Sequence, residues 1–234
     1  MMNAKITAFD DRASLLSAAY TYAVGALEGA LKASGASVLL GAGGSTPGPL
    51  YMHLSKAPID WKNITIGLTD ERWVPASHEA SNEALMRRSL HQNLAASATL
   101  LPMVTDNEKS PFDEISAVNQ IYADAAATCD LMILGMGPDA HTLSWFPDAK
   151  GLETALDPQS TSMVTAISAK KTAVTGDYTH RMTLTLPAVA AAKHVLLLIT
   201  GGEKRDALEA AGPDTPIRHM INAAGDRLST YWAS

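Results

Sequence analysis

The feature that most constrains this chain is a repeated pattern: a short, continuously apolar run stops at glycine or a polar loop and gives way to helical periodicity. Ser37–Gly41 runs straight into Gly43, Gly44, Ser45 and Thr46, after which Pro47 opens a helix toward Tyr51 and Leu54. Ile64–Leu68 leads into a polar loop over 69–81 and then a helix over 82–94. Leu131–Leu134 ends in Gly135, Met136 and Gly137, and two more runs, 182–186 and 194–200, read as strands. Strands apolar on both sides and alternating with helices predict a largely parallel sheet with helices on both faces, a Rossmann-like three-layer α/β fold.

The flanking segments agree with that reading. Asp10 or Asp11 can cap a helix whose apolar positions, among them Leu15, Ala19, Ala23 and Leu27, recur at helical spacing until Gly35 stops it. Ser110, Pro111 and Asp113 read as N-cap, first helical position and acidic first turn of a helix that buries Ile115, Val118, Ile121 and Tyr122. No linker or repeat interrupts the chain, so residues 1–234 are expected to form a single domain.

Bulk properties exclude several functions. A formal charge of -6 and a pI near 5.6 do not suit nucleic-acid binding, which needs a broad basic surface, so an anionic ligand has to meet a local basic pocket. Cys129 is the only cysteine, which rules out an internal disulfide and a paired-cysteine zinc site. No run reaches the roughly 18 apolar residues of a membrane span, and charges precede the first apolar run. The expectation is a cytoplasmic protein with no metal, no cofactor and no membrane partner, present as a monomer or weak homo-oligomer.

In an open parallel sheet, ligands collect beyond the carboxyl ends of the strands, so the loops after Gly41, Leu68, Leu134 and Thr200 should converge. Gly43, Gly44, Ser45 and Thr46 offer backbone N–H groups and hydroxyls to a phosphate at a helix start, although a glycine turn after a strand is more often only a tight connection. The loop over 69–82 carries Asp70, Glu71, Arg72 and His78, and reads either as a binding loop or as a solvated charge run with Trp73 as a core anchor. Arg72 is its best candidate, because a guanidinium grips an anion with two prongs. In the run over 135–147, His141 follows a strand with Asp139 beside it, the arrangement of a general base oriented by a carboxylate. Ser144 lacks the glycine-flanked elbow of a serine nucleophile. His180 with Arg181, and Lys204 with Arg205, are two basic pairs at strand ends that can neutralise a phosphate.

Five segments in order, LLGAGGSTPGPLY, TDERWVPASHEASN, LGMGPDAHTLSWFP, RMTLTLPAV and ITGGEKR, resemble the 6-phosphogluconolactonase family, which shares its NagB/RpiA-like fold with glucosamine-6-phosphate deaminases. The resemblance spans nearly the whole chain. It implies hydrolysis of a phosphorylated sugar lactone, with Gly43, Gly44, Ser45, Arg181 and Lys204 holding the phosphate and with Arg72 and His141 facing the lactone. Asp70 and Asp139 complete the candidate catalytic set. The chain departs from the family run Gly-His-Thr-Ala-Ser-Leu-Phe-Pro-Gly, reading Ala-His-Thr-Leu-Ser-Trp-Phe-Pro-Asp over 140–148. The expectation for Ala140 is a loop that avoids positive φ there. Two alternatives stand beside the lactonase reading. A deaminase needs further carboxylates, and none lies between His141 and Pro147; a non-catalytic sugar-phosphate sensor is motivated by Ala140.

Overall fold

A computed structural model describes residues 5–234. In chain order the elements are β1 (Ile6–Phe9), α1 (Arg12–Ser34), β2 (Ser37–Gly41), α2 (Gly48–Leu54), β3 (Ile64–Leu68), β4 (Asp70–Arg72), α3 (Asn82–Ser89), β5 (Thr99–Leu100) and α4 (Ile115–Ala127). They continue with β6 (Leu131–Leu134), α5 (Leu152–Leu156), β7 (Val164–Ser168), β8 (His180–Leu184), α6 (Leu186–Ala191), β9 (Val195–Thr200), α7 (Gly202–Ala210), α8 (Pro216–Ala224) and β10 (Leu228–Ala233).

Seven strands form one parallel sheet in the order β1-β10-β9-β6-β2-β3-β5, with helices packed around it. The central strands are buried throughout: every residue of β6 is inaccessible, and Val195–Thr200 contributes five buried residues in a row. That is the physical reason these runs read as continuously apolar rather than alternating.

Local chemistry explains the ends of α1. The Asp11 side chain accepts a 2.7 Å bond from the Ser14 N–H, Gly35 takes φ 78°, and Leu15, Ala19, Ala23 and Leu27 bury one face at a four-residue spacing. A left-handed residue at a helix end favours glycine because no Cβ meets the carbonyl.

Several boundaries differ from expectation. The helix expected from Ser110 begins at Ile115. Glu114 precedes it, and its carboxylate accepts from Thr105 and Lys109 instead of capping the helix, while Ser110 serves a turn by accepting from Phe112 N–H. The helix expected over 82–94 stops at Ser89, and Asn93 turns left-handed at φ 52°. The strand expected over 182–186 runs from His180 to Leu184, because Pro187 in the first turn of α6 starts a helix with Thr185 before it. The start of the loop over 69–81 is itself strand β4. It pairs antiparallel with β8, which pairs with β7, so a three-stranded antiparallel sheet stands against the parallel one.

Candidate active site

The loops leaving β2, β3, β6 and β9, together with β8, meet in one cleft of about 240 Å³. Gly43, Gly44, Ser45, Asp70, Arg72, His141, Arg181 and Lys204 all line it, and Asp139 reaches its histidine from behind. Arg205 is drawn away to Glu209 and the face of Trp232, and His180 is exposed at the start of β8, so each basic pair contributes one member to the cleft.

At one end lies the glycine turn. Gly44 takes φ 104°, and a Cβ on Gly43 would lie 1.9 Å from Oδ1 of Asn82, so neither position accepts a side chain without rearrangement. Lys204, in the first turn of α7, lines the same cleft with no ion pair among the described residues. Burial holds its ammonium below the ordinary lysine range. An unpaired, half-desolvated cation that shares a cleft with a glycine turn and its hydroxyls has the chemistry to receive an anion.

At the other end His141 Nδ1 lies 2.5 Å from Asp139 Oδ1, which also accepts from the His141 backbone N–H. Burial pushes the Asp139 carboxyl up, but hydrogen bonds and charge from His141 outweigh it and hold the group below the usual carboxylate range. The imidazole stacks at 4.4 Å on Phe146, whose ring also carries the Arg181 guanidinium at 5.3 Å. Gly137 is obligatory here, since a Cβ would come within 2.2 Å of the ring. With Nδ1 directed to a carboxylate, Nε2 is the nitrogen left to exchange a proton.

Asp70 and Arg72, on β4, line the cleft as well. Asp70 is buried and its Oδ2 accepts a 2.5 Å bond from Ser144 Oγ. That bond explains the buried Ser144 hydroxyl without a nucleophilic role. Arg72 gives Nη1 to Ala80 O at 2.9 Å and Asn82 Oδ1 at 2.6 Å, while its Nε–H is buried without a partner among the described residues. Burial pulls the Arg181 guanidinium down to about 10, against the opposing pull of Asp70. It donates Nε to Tyr178 O and Nη2 to Thr175 O, which fastens the 170–179 loop at the rim.

This convergence can be compared with known proteins. The family described as glucosamine-6-phosphate isomerases/6-phosphogluconolactonase matches residues 10–232. A 6-phosphogluconolactonase from Mesorhizobium japonicum is 37% identical, covering 97% of this chain and 94% of the relative, and one from Rhizobium meliloti is 33% identical, covering 99% and 100%. The chain belongs to the glucosamine-6-phosphate isomerase/6-phosphogluconolactonase family. Among solved structures, a 6-phosphogluconolactonase from Shewanella baltica superposes with a TM-score of 0.90 at 28% identity, covering 99% of this chain and 98% of that one. Another, from Thermotoga maritima, gives 0.79 at 26% identity, covering 97% and 98%.

Within this family fold, the histidine loop corrects one expectation. Ala140 does adopt positive φ, at 63°, and so do Leu143 at 52° and Asp148 at 58°. Three of the positions that depart from the glycine-containing run thus carry side chains at positive φ, a strain on the order of 1 kcal/mol or more at each. Ala140 is held by its N–H to Gly137 O and by its own carbonyl, which accepts from Ile217 in α8.

Sequence reasoning did not single out Asn82 or Phe146. Asn82 closes the TDERWVPASHEASN segment and reads there only as a helix start; Phe146 reads as one more apolar residue. No helix among the described residues is long and apolar enough to cross a membrane, and no group of three His, Cys, Asp or Glu side chains among them is gathered for a metal. Cys129 is buried, with burial pushing its thiol up to about 12, as suits a core residue.

Proposed function

We propose that this chain hydrolyses 6-phospho-D-glucono-1,5-lactone to 6-phospho-D-gluconate with water activated by His141 and without a covalent intermediate. The observation that carries the reading is that one cleft is lined both by the glycine turn with Lys204 and by His141, which Asp139 orients. The names of its relatives support the same substrate.

In this reading the phosphate is held at the glycine turn by backbone N–H groups, the Ser45 hydroxyl and Lys204, with Arg181 adding charge. Binding there fixes the distant ester against His141, which converts an encounter into a positioned reaction. Nε2 takes a proton from water as its oxygen bonds to the lactone carbonyl carbon, and Asp139 stabilises the resulting imidazolium. Arg72 faces the developing oxyanion. When the tetrahedral intermediate collapses, the bond from the carbonyl carbon to the ring oxygen breaks, and the departing alkoxide takes the proton back from His141.

The test is the opening of freshly generated 6-phosphogluconolactone, followed by coupled oxidation of the product with and without protein and corrected for spontaneous hydrolysis. Acceleration that is lost with the unphosphorylated lactone is expected. A rate equal to the spontaneous one would overturn the proposal.

A further inference from the structure

Asp70 and Arg72 lie two residues apart on β4, so their side chains leave the same face of the strand, and both line the cleft. An aspartate and an arginine so placed are poised to form an ion pair, which would consume the guanidinium and neutralise it. No such pair forms among the described residues. Between them lies the carboxamide of Asn82, which is only 2% exposed. Its Oδ1 accepts from Arg72 Nη1 at 2.6 Å, and its Nδ2 donates to the Asp70 carbonyl at 2.8 Å and to the Asp70 carboxylate at 3.4 Å. One amide therefore satisfies a cation on its oxygen and an anion on its nitrogen, a task that neither a carboxylate nor an ammonium can perform.

The amide is itself held on two sides. Glu71 leaves the opposite face of β4, and its carboxylate accepts from the backbone N–H groups of Arg72, Asn82 and Glu83 and from Ser81 Oγ, at 2.7–2.8 Å. This bolts the start of α3 to β4. On the other side, Asn82 packs so closely over Gly43 that only glycine fits. Arg72 is left with Nη1 engaged and Nε–H buried and unpaired, a donor in want of an acceptor.

We propose that Asn82 is a positioning residue. It keeps Arg72 apart from Asp70 and aimed at the reacting carbonyl, and it fixes that geometry to the phosphate turn through its contact with Gly43. The inference rests on the lactone-hydrolase reading and concerns the same cleft.

The test is a double-mutant cycle on the full chain, in kcat/KM for 6-phosphogluconolactone, with Tm measured for each variant. Asn82→Ala is expected to lower kcat/KM by about tenfold or more in the parent, but by less than about threefold once Arg72→Ala is present, since coupled neighbours are non-additive. Equal losses in both backgrounds would overturn the proposal, as would an unchanged kcat/KM in Asn82→Ala. Asn82→Ser keeps a small polar group at the first residue of α3 and serves as the second variant, with the same expectation. Failure of both to fold would make Asn82 a structural residue and also overturn the proposal. A parent that does not accelerate lactone opening removes the reaction itself, whereas an active parent with an additive cycle removes only the role of Asn82.

Discussion

The two ends of the cleft are built in opposite ways. At the glycine turn the backbone makes unusual demands, φ 104° at Gly44 and contact with Asn82 at Gly43, and glycine meets both. At the histidine end the demands are similar, yet Ala140, Leu143 and Asp148 supply side chains at positive φ within nine residues. The first end is locally consistent, each residue choosing the conformation it is given. The second is overruled by its surroundings: Asp139 and Phe146 on His141, Ile217 on the Ala140 carbonyl, and the burial of Leu143 and Trp145. Strain persists only where neighbouring contacts over-determine the backbone, and here the strained side chains surround His141 rather than the glycine turn.

The strongest way to break that contrast is to remove the chemistry at one end while leaving the other intact. His141→Asn keeps much of the side-chain shape and abolishes the base. Positioned proton transfer is worth about 10²- to 10⁴-fold, so kcat is expected to fall by that range. Binding of 6-phosphogluconate, measured by calorimetry, should change little, because the phosphate end is untouched. A folded variant with full kcat would dismiss His141 and turn attention to Asp70, the buried carboxylate that lines the cleft.

The reciprocal experiment acts on Lys204. Replacing a charge-assisted contact to phosphate removes about 1.5 to 3 kcal/mol, so Lys204→Ala should raise KM about tenfold or more with kcat nearly kept. The pH dependence sharpens this. Because burial lowers the Lys204 pKa, the ammonium loses its proton at a lower pH than a free lysine would. Affinity for the product should therefore weaken as pH rises into the alkaline range, and Lys204→Arg, which stays charged, should move that loss to higher pH. Identical alkaline profiles for parent and Lys204→Arg would remove Lys204 from the anion site.

Legibility in the sequence follows the same divide. The glycine turn was readable because its glycines advertise their backbone, and the central strands because burial on both faces makes them continuously apolar. The antiparallel β4-β8-β7 sheet was not, since Asp70, Glu71 and Arg72 form a strand through tertiary pairing against their polar composition. β1, β5, β7, α8 and β10 also went unread. β1 and β5 are four and two residues long and only partly buried, too short to show a period. Asp139 and His141 were legible as a pair by spacing, but Asn82 was not, because its partners lie ten and twelve residues away and are joined only by folding.

The smallest effect tests the comparison most directly, by exchanging the two ends' solutions. Ala140 has φ 63°, where a side chain costs about 1 to 2 kcal/mol, while glycine there returns part of that gain as unfolded-state entropy, about 0.5 to 1 kcal/mol. Ala140→Gly is therefore expected to stabilise the fold by about 0.5 to 1 kcal/mol, a rise in Tm of about 1 to 4 °C for a chain of this size. Gly44→Ala should move Tm the other way, because φ 104° admits no comfortable Cβ even though open space surrounds it. The two shifts have opposite signs for one reason, and thermal unfolding of both variants reads them together. Since Asp139, Phe146 and Gly137 fix the imidazole independently of residue 140, kcat in Ala140→Gly should stay within about twofold of the parent. A fall in Tm for Ala140→Gly would mean that the Ala140 methyl, buried at 7% exposure, contributes more by packing than its backbone loses by strain.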